Sequence, residues 1–378
     1  MRRTIFTAEH DDFREAVRSF VVKEAAPSVP DWEEAGIVPR SFWKQAAAQG
    51  LVGFAAAERY GGAGVDDFRF NAVLDEEIAY AGAMGDNFSL QNDIICPYLV
   101  GLTTEEQRDR WLHPFTRGDL IASLAMSEPG AGSDLRAIAT TARPDGEGWL
   151  LNGSKTFVTS GIQCDVVIVV ARAVGSTAGL NLLVVEDGAD GFTRGRKLKK
   201  VGHHAQDTAE LFFDDVYVPA TNLLGEPGRG LDHLKANLPQ ERLSVAVTAI
   251  ATAETALELT LDHCRNRRTF GRALSQHQSV RFALADMHTE IGVGRAYVDR
   301  CIEAHVGGEL TPTEAASAKL WSTELEFRVV DRCLQLHGGY GYMEEYPIAR
   351  IWRDSRVQRI YAGANEIMRD IVGRGLEG

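Results

Sequence analysis

The feature that most limits the folds open to this chain is a change of hydrophobic period. Apolar residues recur at helical spacing through the first third, give way to short β-branched runs, then return to helical spacing almost to the end. In the first stretch Phe13, Val17, Phe20 and Val21 share one helical face, as do Phe70, Val73, Leu74 and Ile78, with Gly61-Gly62-Ala63-Gly64 interrupting as a loop. In the middle, Val166–Val170 and Leu180–Val185 read as buried strands, and Leu211–Val218 partly alternates before stopping at Pro219. Asp145-Gly146 and Asn152-Gly153 are predicted turns separating these segments. Beyond Gly225-Glu226-Pro227-Gly228, the residues Ala246, Ile250, Ala253, Leu257 and Leu261 outline one face of a long helix, predicted to begin just after Pro239. The order helices, strands, helices divides the chain into residues 1–118, 119–225 and 226–378, an α+β multidomain plan. There is no internal repeat and no low-complexity tract.

At 378 residues and 44% hydrophobic, the chain can bury a large core. A formal charge of −13, from 53 acidic and 40 basic side chains, argues against a nucleic-acid partner. Within that acidic background Arg265, Arg267, Arg268 and Arg272 crowd one stretch, and Arg350, Arg353, Arg356 and Arg359 another. Such clusters mark anion sites or ion pairs. Cys96, Cys164, Cys264, Cys301 and Cys333 are scattered and form no Cys-x-x-Cys pair, which reads as reduced thiols. The N-terminus lacks the apolar core of a signal peptide, and no uninterrupted apolar run approaches bilayer-spanning length. A cytoplasmic protein with no membrane insertion is expected.

Several motif matches fail on context. Gly373-Arg374-Gly375-Leu376-Glu377-Gly378 spells G-x-G-x-x-G, but the chain ends where the dinucleotide fingerprint needs a helix. No phosphate-binding loop of the G-x-x-x-x-G-K-[ST] type and no H-E-x-x-H occurs, and His203-His204 lacks a third ligand at metal spacing, so it reads as a solvated turn and no metal is expected. Any nucleotide cofactor must be held by something other than a Rossmann crossover.

Other segments carry more. Met126-Ser127-Glu128-Pro129-Gly130-Ala131-Gly132-Ser133-Asp134 offers hydroxyls and amides on a backbone that can approach a ligand closely. Phe157-Val158-Thr159-Ser160 places an aromatic ring near a hydroxyl on a strand, equipment that suits a flat heteroaromatic ring. Together, at this spacing, the two runs resemble the flavin-binding β domain of the acyl-CoA dehydrogenases. Arg267-Arg268-Thr269-Phe270-Gly271 with His277-Gln278 resembles the family segment that reaches the FAD of a neighbouring subunit. Leu334-Gln335-Leu336-His337-Gly338-Gly339-Tyr340-Gly341-Tyr342 resembles its second FAD-contacting segment. Arg353-Asp354-x-Arg356, leading into Ile360-Tyr361-Ala362-Gly363-Ala364-Asn365-Glu366-Ile367, resembles its C-terminal signature. The resemblance runs in order from about residue 10 to 375. It implies an N-terminal helical domain, a β-barrel-like middle domain and a C-terminal four-helix bundle. It also implies a homotetramer (a dimer of dimers) with FAD between subunits, and electron-transferring flavoprotein as acceptor. By resemblance, the FAD contacts fall to Met126, Ser127, Ser133, Phe157, Val158, Thr159, Arg267, Phe270, His277, Gln278, Gln335, Gly338, Gly339, Ala364 and Glu366. Ser133, Arg242 and Gly363 would lie along the acyl-CoA path.

The chemistry implied is removal of a proton α to a thioester carbonyl, which needs a carboxylate with a raised pKa and donors on the carbonyl oxygen. Many family members carry that carboxylate after the signature Tyr, where this chain has Ala362. Glu241, in Leu238-Pro239-Gln240-Glu241-Arg242-Leu243, resembles the alternative base of the long-chain and isovaleryl branches. On its own Glu241 reads as a first-turn acid favouring the helix dipole. Paired with Ala362 in a chain that matches elsewhere, it becomes the expected base. Ala362 keeps a backbone N–H for the thioester oxygen. Ala364 stands where the family usually has Thr, and Ser127 where Thr is common. The rivals are a flavin acyl-CoA oxidase and a non-catalytic subunit of a hetero-oligomer, the latter favoured by Ala362. Acyl chain length is expected to depend on side chains near Phe88-Ser89-Leu90-Gln91-Asn92.

Overall fold

A computed structural model of the chain describes residues 3–83, 85, 87–175 and 179–377. The helices before the strands are α1 (Ala8–Phe20), α2 (Val29–Ala35), α3 (Arg40–Ala48), α4 (Phe68–Tyr80), α5 (Cys96–Gly101), α6 (Glu105–Gln107) and α7 (His113–Thr116). The strands are β1 (Ala122–Ala125), β2 (Thr141–Asp145), β3 (Gly148–Thr159), β4 (Val166–Ala173), β5 (Leu180–Glu186), β6 (Phe192–Lys197), β7 (Thr208–Pro219) and β8 (Leu223–Leu224). There follow α8 (Gly230–Asn266), the short ribbon β9 (Arg268–Thr269) and β10 (Arg272–Ala273), α9 (Gln278–Val306), α10 (Pro312–His337), α11 (Pro347–Ser355) and α12 (Asn365–Leu376).

The middle region is a mixed eight-stranded sheet in the order β6-β7-β3-β2-β4-β5-β8, with β1 alongside β4. The continuous apolar runs arise because the sheet is covered on both faces. Ile168, Val170, Leu182 and Val184 point into a core shared with the N-terminal helices, whereas Val167, Val169, Leu183 and Val185 point into a second core within the β region. Asn152-Gly153 is not a turn. It lies inside β3 at a register shift against β7, where a Cβ on Gly153 would stand 2.5 Å from the Thr140 hydroxyl. The string that reads as a hairpin signal therefore marks a close approach to the neighbouring strand.

The C-terminal helices form a bundle around α8, which packs on α10, α9 and α4. Helix α10 starts where Thr311 and Glu314 cap each other's backbone N–H, with Pro312 in the first turn. Helix α8 begins at Gly230, earlier than Pro239 indicated, and carries that proline inside it. Proline in a helix removes one backbone bond and usually marks a start, but α8 is buried along most of its length and packing holds it through the defect. Glu241 is thus three turns into a helix, and the reading of it as a first-turn acid is withdrawn. An 18-residue window of α8 reaches a mean hydropathy of 1.3, long and apolar enough by composition to cross a bilayer, although no uninterrupted apolar run in it is that long. That window is 78% buried inside the protein, as a bundle core requires.

Segments of π-helix, Leu90–Ile95 and Arg108–Leu112, interrupt the N-terminal helices. Each extra residue per turn rotates the following side chains. In the first, the Gln91 side chain exchanges hydrogen bonds with the Ala122 backbone at 2.9 and 3.3 Å, and Asn92 bonds Gly53 N–H and the Leu51 carbonyl. Phe88 packs edge-on against Phe42 and Trp43. These three side chains, expected near the acyl pocket, are engaged in joining the N-terminal helices to each other and to the sheet; Ser89 and Leu90 are only half-buried.

Candidate active site

Glu241 is 2% exposed. Its one hydrogen-bond partner among the described residues is the Tyr98 hydroxyl, which donates to Oε1 at 3.3 Å from α5, itself fully buried. Removing the carboxylate from water pushes its pKa up to about 7, against a smaller downward pull from the Tyr98 hydroxyl and the Arg242 charge. A carboxyl that titrates near neutrality is matched to taking a proton from carbon. Arg242 is also buried, and its Nε has no acceptor, so burial lowers its pKa. A buried guanidinium N–H without an acceptor is uncommon and points to a ligand or water at that position. One turn on, the Ser244 hydroxyl lies 3.0 Å from an Asp75 oxygen and 2.5 Å from an Asp93 oxygen, and burial raises the Asp93 carboxyl.

The segment after α11 turns sharply. Ala362 has φ +52° and Gly363 has φ +93°, two successive residues in the left-handed region. Alanine there costs roughly 1 kcal/mol, so the surroundings must hold it. A Cβ on Gly363 would stand 2.7 Å from the Met368 methyl, the movable end of a flexible side chain, so the left-handed backbone favours glycine there more than space does. No acceptor among the described residues takes the Ala362 N–H. The Gly363 carbonyl accepts from Lys319 Nζ at 2.9 Å, and Arg242 acts electrostatically on that same amine. Arg242 and Gly363, distant in sequence, thus both act on Lys319, the first by charge and the second by a hydrogen bond. Ala364 is the N-cap of α12 and supplies no capping side chain, whereas Glu366 is exposed in the first turn of α12.

Phe157, Val158 and Thr159 lie at the end of β3, where a register shift between Lys155 and Val158 turns the Phe157 ring outward, 70% exposed at φ +59°. Val158 is buried and Thr159 half-buried. Met126 and Ser127 run beside them: Thr156 N–H donates to the Ser127 carbonyl at 2.9 Å, and the buried Lys155 ammonium holds the Met126 carbonyl and Glu128 at 2.9 and 2.7 Å. Ser133 is exposed on the following loop.

A third group gathers elsewhere. Phe270 is 97% exposed at φ +49° on the β9–β10 ribbon, His277 bonds the Thr269 hydroxyl at 3.1 Å, and Gln278 opens α9. Gln335, Gly338 and Gly339 are exposed at the end of α10. The Arg267 guanidinium lies 5.5 Å from the Tyr340 ring centre, and His263 stacks on His337, which joins the two segments. Among the described residues no hydrogen bond, ion pair or ring contact joins this group to Met126–Thr159. Of the two arginine clusters, the second is spent on ion pairs and contacts within the chain (Arg353 with Glu33, Arg359 with Glu324), while Arg267, Arg268 and Arg272 have no carboxylate partner among the described residues. His203 is buried, not solvated: its N–H bonds Asp354 at 2.7 Å and neither ring nitrogen has a partner. The backbone at Gly85 passes close to it: a Cβ there would stand 3.7 Å from His203 Nδ1 and from the buried Ala205 Cβ. Five buried thiols remain free.

A buried carboxyl raised to near neutrality is suited to proton abstraction, and the Ala362 and Gly363 N–H groups are unclaimed among the described residues. The exposed rings of Phe157 and Phe270, held outward by left-handed backbone, and the unpaired arginines fit a long, flat, anionic cofactor. The sequence matches three family descriptions: the N-terminal domain of acyl-CoA dehydrogenase over residues 7–119, the middle domain over 123–216 and the C-terminal domain over 228–377. A long-chain specific acyl-CoA dehydrogenase of pig mitochondria is 48% identical over 376 residues, covering 98% of this chain and 87% of that protein. The crystal structure of an acyl-CoA dehydrogenase from Geobacillus kaustophilus superposes with a TM-score of 0.96 at 48% identity, covering all of both chains. A glutaryl-CoA dehydrogenase from Mycobacterium smegmatis in complex with FADH2 superposes at 0.91 with 26% identity, over 98% of this chain and 95% of that one. The chain belongs to the acyl-CoA dehydrogenase family, enzymes that depend on FAD.

Sequence reasoning missed Tyr98, Lys155 and Lys319. None of the three stands in a motif, and only the fold shows what each touches.

Proposed function

We propose that this enzyme converts a saturated long-chain or branched acyl-CoA to the trans-2-enoyl-CoA, with Glu241 as the base. The observation that carries this reading is the Glu241 carboxyl, buried and raised to about 7. Its ionised form takes the α proton, while the Ala362 N–H donates to the thioester oxygen as negative charge develops there. Arg242 and Gly363 border the acyl-CoA path. FAD, when bound, supplies the hydride acceptor, and Phe157, Thr159, Met126 and Ser127 would hold its ring system. Arg267, Phe270, His277, Gln278, Gln335, Gly338 and Gly339 would meet the FAD of a second copy within a homotetramer. Identity with the pig long-chain enzyme supports the chain-length class, and electron-transferring flavoprotein is the proposed acceptor.

The test is product analysis with acyl-CoAs of graded length and branching, in wild type and Glu241→Gln. The reading expects 2-enoyl-CoA from the longer substrates, coupled to reduction of electron-transferring flavoprotein and lost in the variant. Equal turnover by both proteins overturns Glu241 as base, and oxygen consumption in place of flavoprotein reduction overturns the acceptor.

A further inference from the structure

Lys319 is fully buried on α10, a position that ammonium groups rarely take. Its Nζ donates to the Gly363 carbonyl at 2.9 Å and to the Asn365 side-chain oxygen at 2.8 Å. The Asn365 amide is fixed in turn by the Thr323 hydroxyl at 3.0 Å and Glu324 at 3.1 Å, both on α10. Lys319 thus anchors the left-handed turn at Ala362-Gly363 to the most buried face of the bundle. The turn has little else to hold it: the N–H groups of Ala362 and Gly363 have no acceptors among the described residues, and α12 starts at Ala364 without a side-chain cap.

The charges around the amine are unusual for a simple ion pair. Arg242 repels it, Glu366 and Glu324 attract it from a distance, and burial with Arg242 pulls its pKa down to about 7. Glu326, also fully buried, is itself held well above the usual carboxylate range. No carboxylate lies within ion-pair distance of Nζ among the described residues. A lysine whose donors go to a backbone carbonyl and an amide oxygen fixes geometry more than it balances charge.

We infer that Lys319 is a positioning residue for the dehydrogenation: by clamping the Gly363 carbonyl and Asn365, it sets the direction of the Ala362 N–H that polarises the substrate thioester. The inference rests on the proposed role of that N–H. Removal of the clamp leaves the base in place but lets the donor drift from the oxygen, and misplacement of a catalytic contact by about 1 Å costs on the order of 10²-fold in rate.

The test compares wild type, Lys319→Met and Glu241→Gln, each loaded with FAD, by the carbonyl stretching frequency of bound trans-2-hexadecenoyl-CoA carrying 13C at C1, and by kcat and KM for palmitoyl-CoA. In wild type and Glu241→Gln the carbonyl band is expected to fall on binding. In Lys319→Met the fall is expected to shrink, with kcat down on the order of 10²-fold and KM within a few fold. A full carbonyl shift in Lys319→Met overturns the positioning role, even if activity is low. Absence of a shift in wild type overturns the role of the Ala362 N–H instead. If Lys319→Met does not yield FAD-loaded protein, Lys319→Gln, which keeps one donor at shorter reach, is expected to give an intermediate shift; failure of both to fold assigns Lys319 to folding alone and overturns the inference.

Discussion

Glu241→Gln exchanges a buried ionisable group for a neutral one of the same shape, so its effect on stability depends on pH. In the folded protein the carboxyl titrates near 7, against an ordinary value of 4.5. The difference is about two and a half pH units, or about 3 kcal/mol at about 1.4 kcal/mol per unit. The folded pKa is the higher one, so the folded state keeps a proton that the unfolded chain releases between pH 4.5 and 7. Stability therefore falls with rising pH across that window, and the full cost is present above pH 7. The variant escapes that cost. Unfolding entropy of about 2.1 cal/mol/K per residue over a chain of this length converts about 3 kcal/mol to a rise in Tm of about 4 °C. We expect that gain at pH 8.5 and less than half of it at pH 5.5, by calorimetry on FAD-saturated protein. A variant less stable than wild type at pH 8.5, or a gain independent of pH, would refute the description of Glu241 as a carboxyl held in an apolar site.

Further outcomes follow from the same contacts. Tyr98→Phe removes the hydroxyl that favours the ionised form of Glu241, so the acid limb of the kcat–pH profile is expected to move to higher pH by up to about one unit; a limb that stays in place or moves down contradicts this. Ala364→Thr supplies the missing cap of α12 and is expected to stabilise the protein by about 1 kcal/mol in denaturant titrations. Lys155→Met takes the ammonium from the buried Glu128 carboxylate, which keeps the Ala139 and Thr140 N–H groups, and frees the Met126 carbonyl; a loss of about 1–3 kcal/mol is expected, together with weaker FAD retention on gel filtration.

The period changes along the chain carried the fold, because the sheet is covered on both faces and the bundle helices are long. Where the sequence misled, a local signal was outweighed by packing. Pro239 reads as a helix start, yet α8 continues through it because the helix from Glu241 onward is buried against α10, α9 and α4. Asn152-Gly153 reads as a turn, yet the glycine is there to let β3 pass Thr140. His203-His204 reads as polar surface, yet Asp354 draws the His203 backbone inward from 151 residues away. For the proposed site, Glu241 and Ala362 were singled out through resemblance. Tyr98 was not, because nothing in Cys96-Pro97-Tyr98 marks it out; it meets Glu241 143 residues later only after the π-helical turn before α5 has set its direction. Lys155 and Lys319 were illegible for a related reason. A lysine in a sequence reads as solvent-facing, and its burial becomes visible only when its backbone partners have been placed.

The central claim, that Glu241 removes the α proton, is tested most directly by rapid anaerobic mixing of FAD-loaded wild type and Glu241→Gln with palmitoyl-CoA, protiated or deuterated at Cα, while flavin absorbance is followed. Fast bleaching in wild type, slowed by the deuterium and absent in the variant, is the predicted result. Bleaching of both proteins at the same rate would contradict the account and assign the proton to another group.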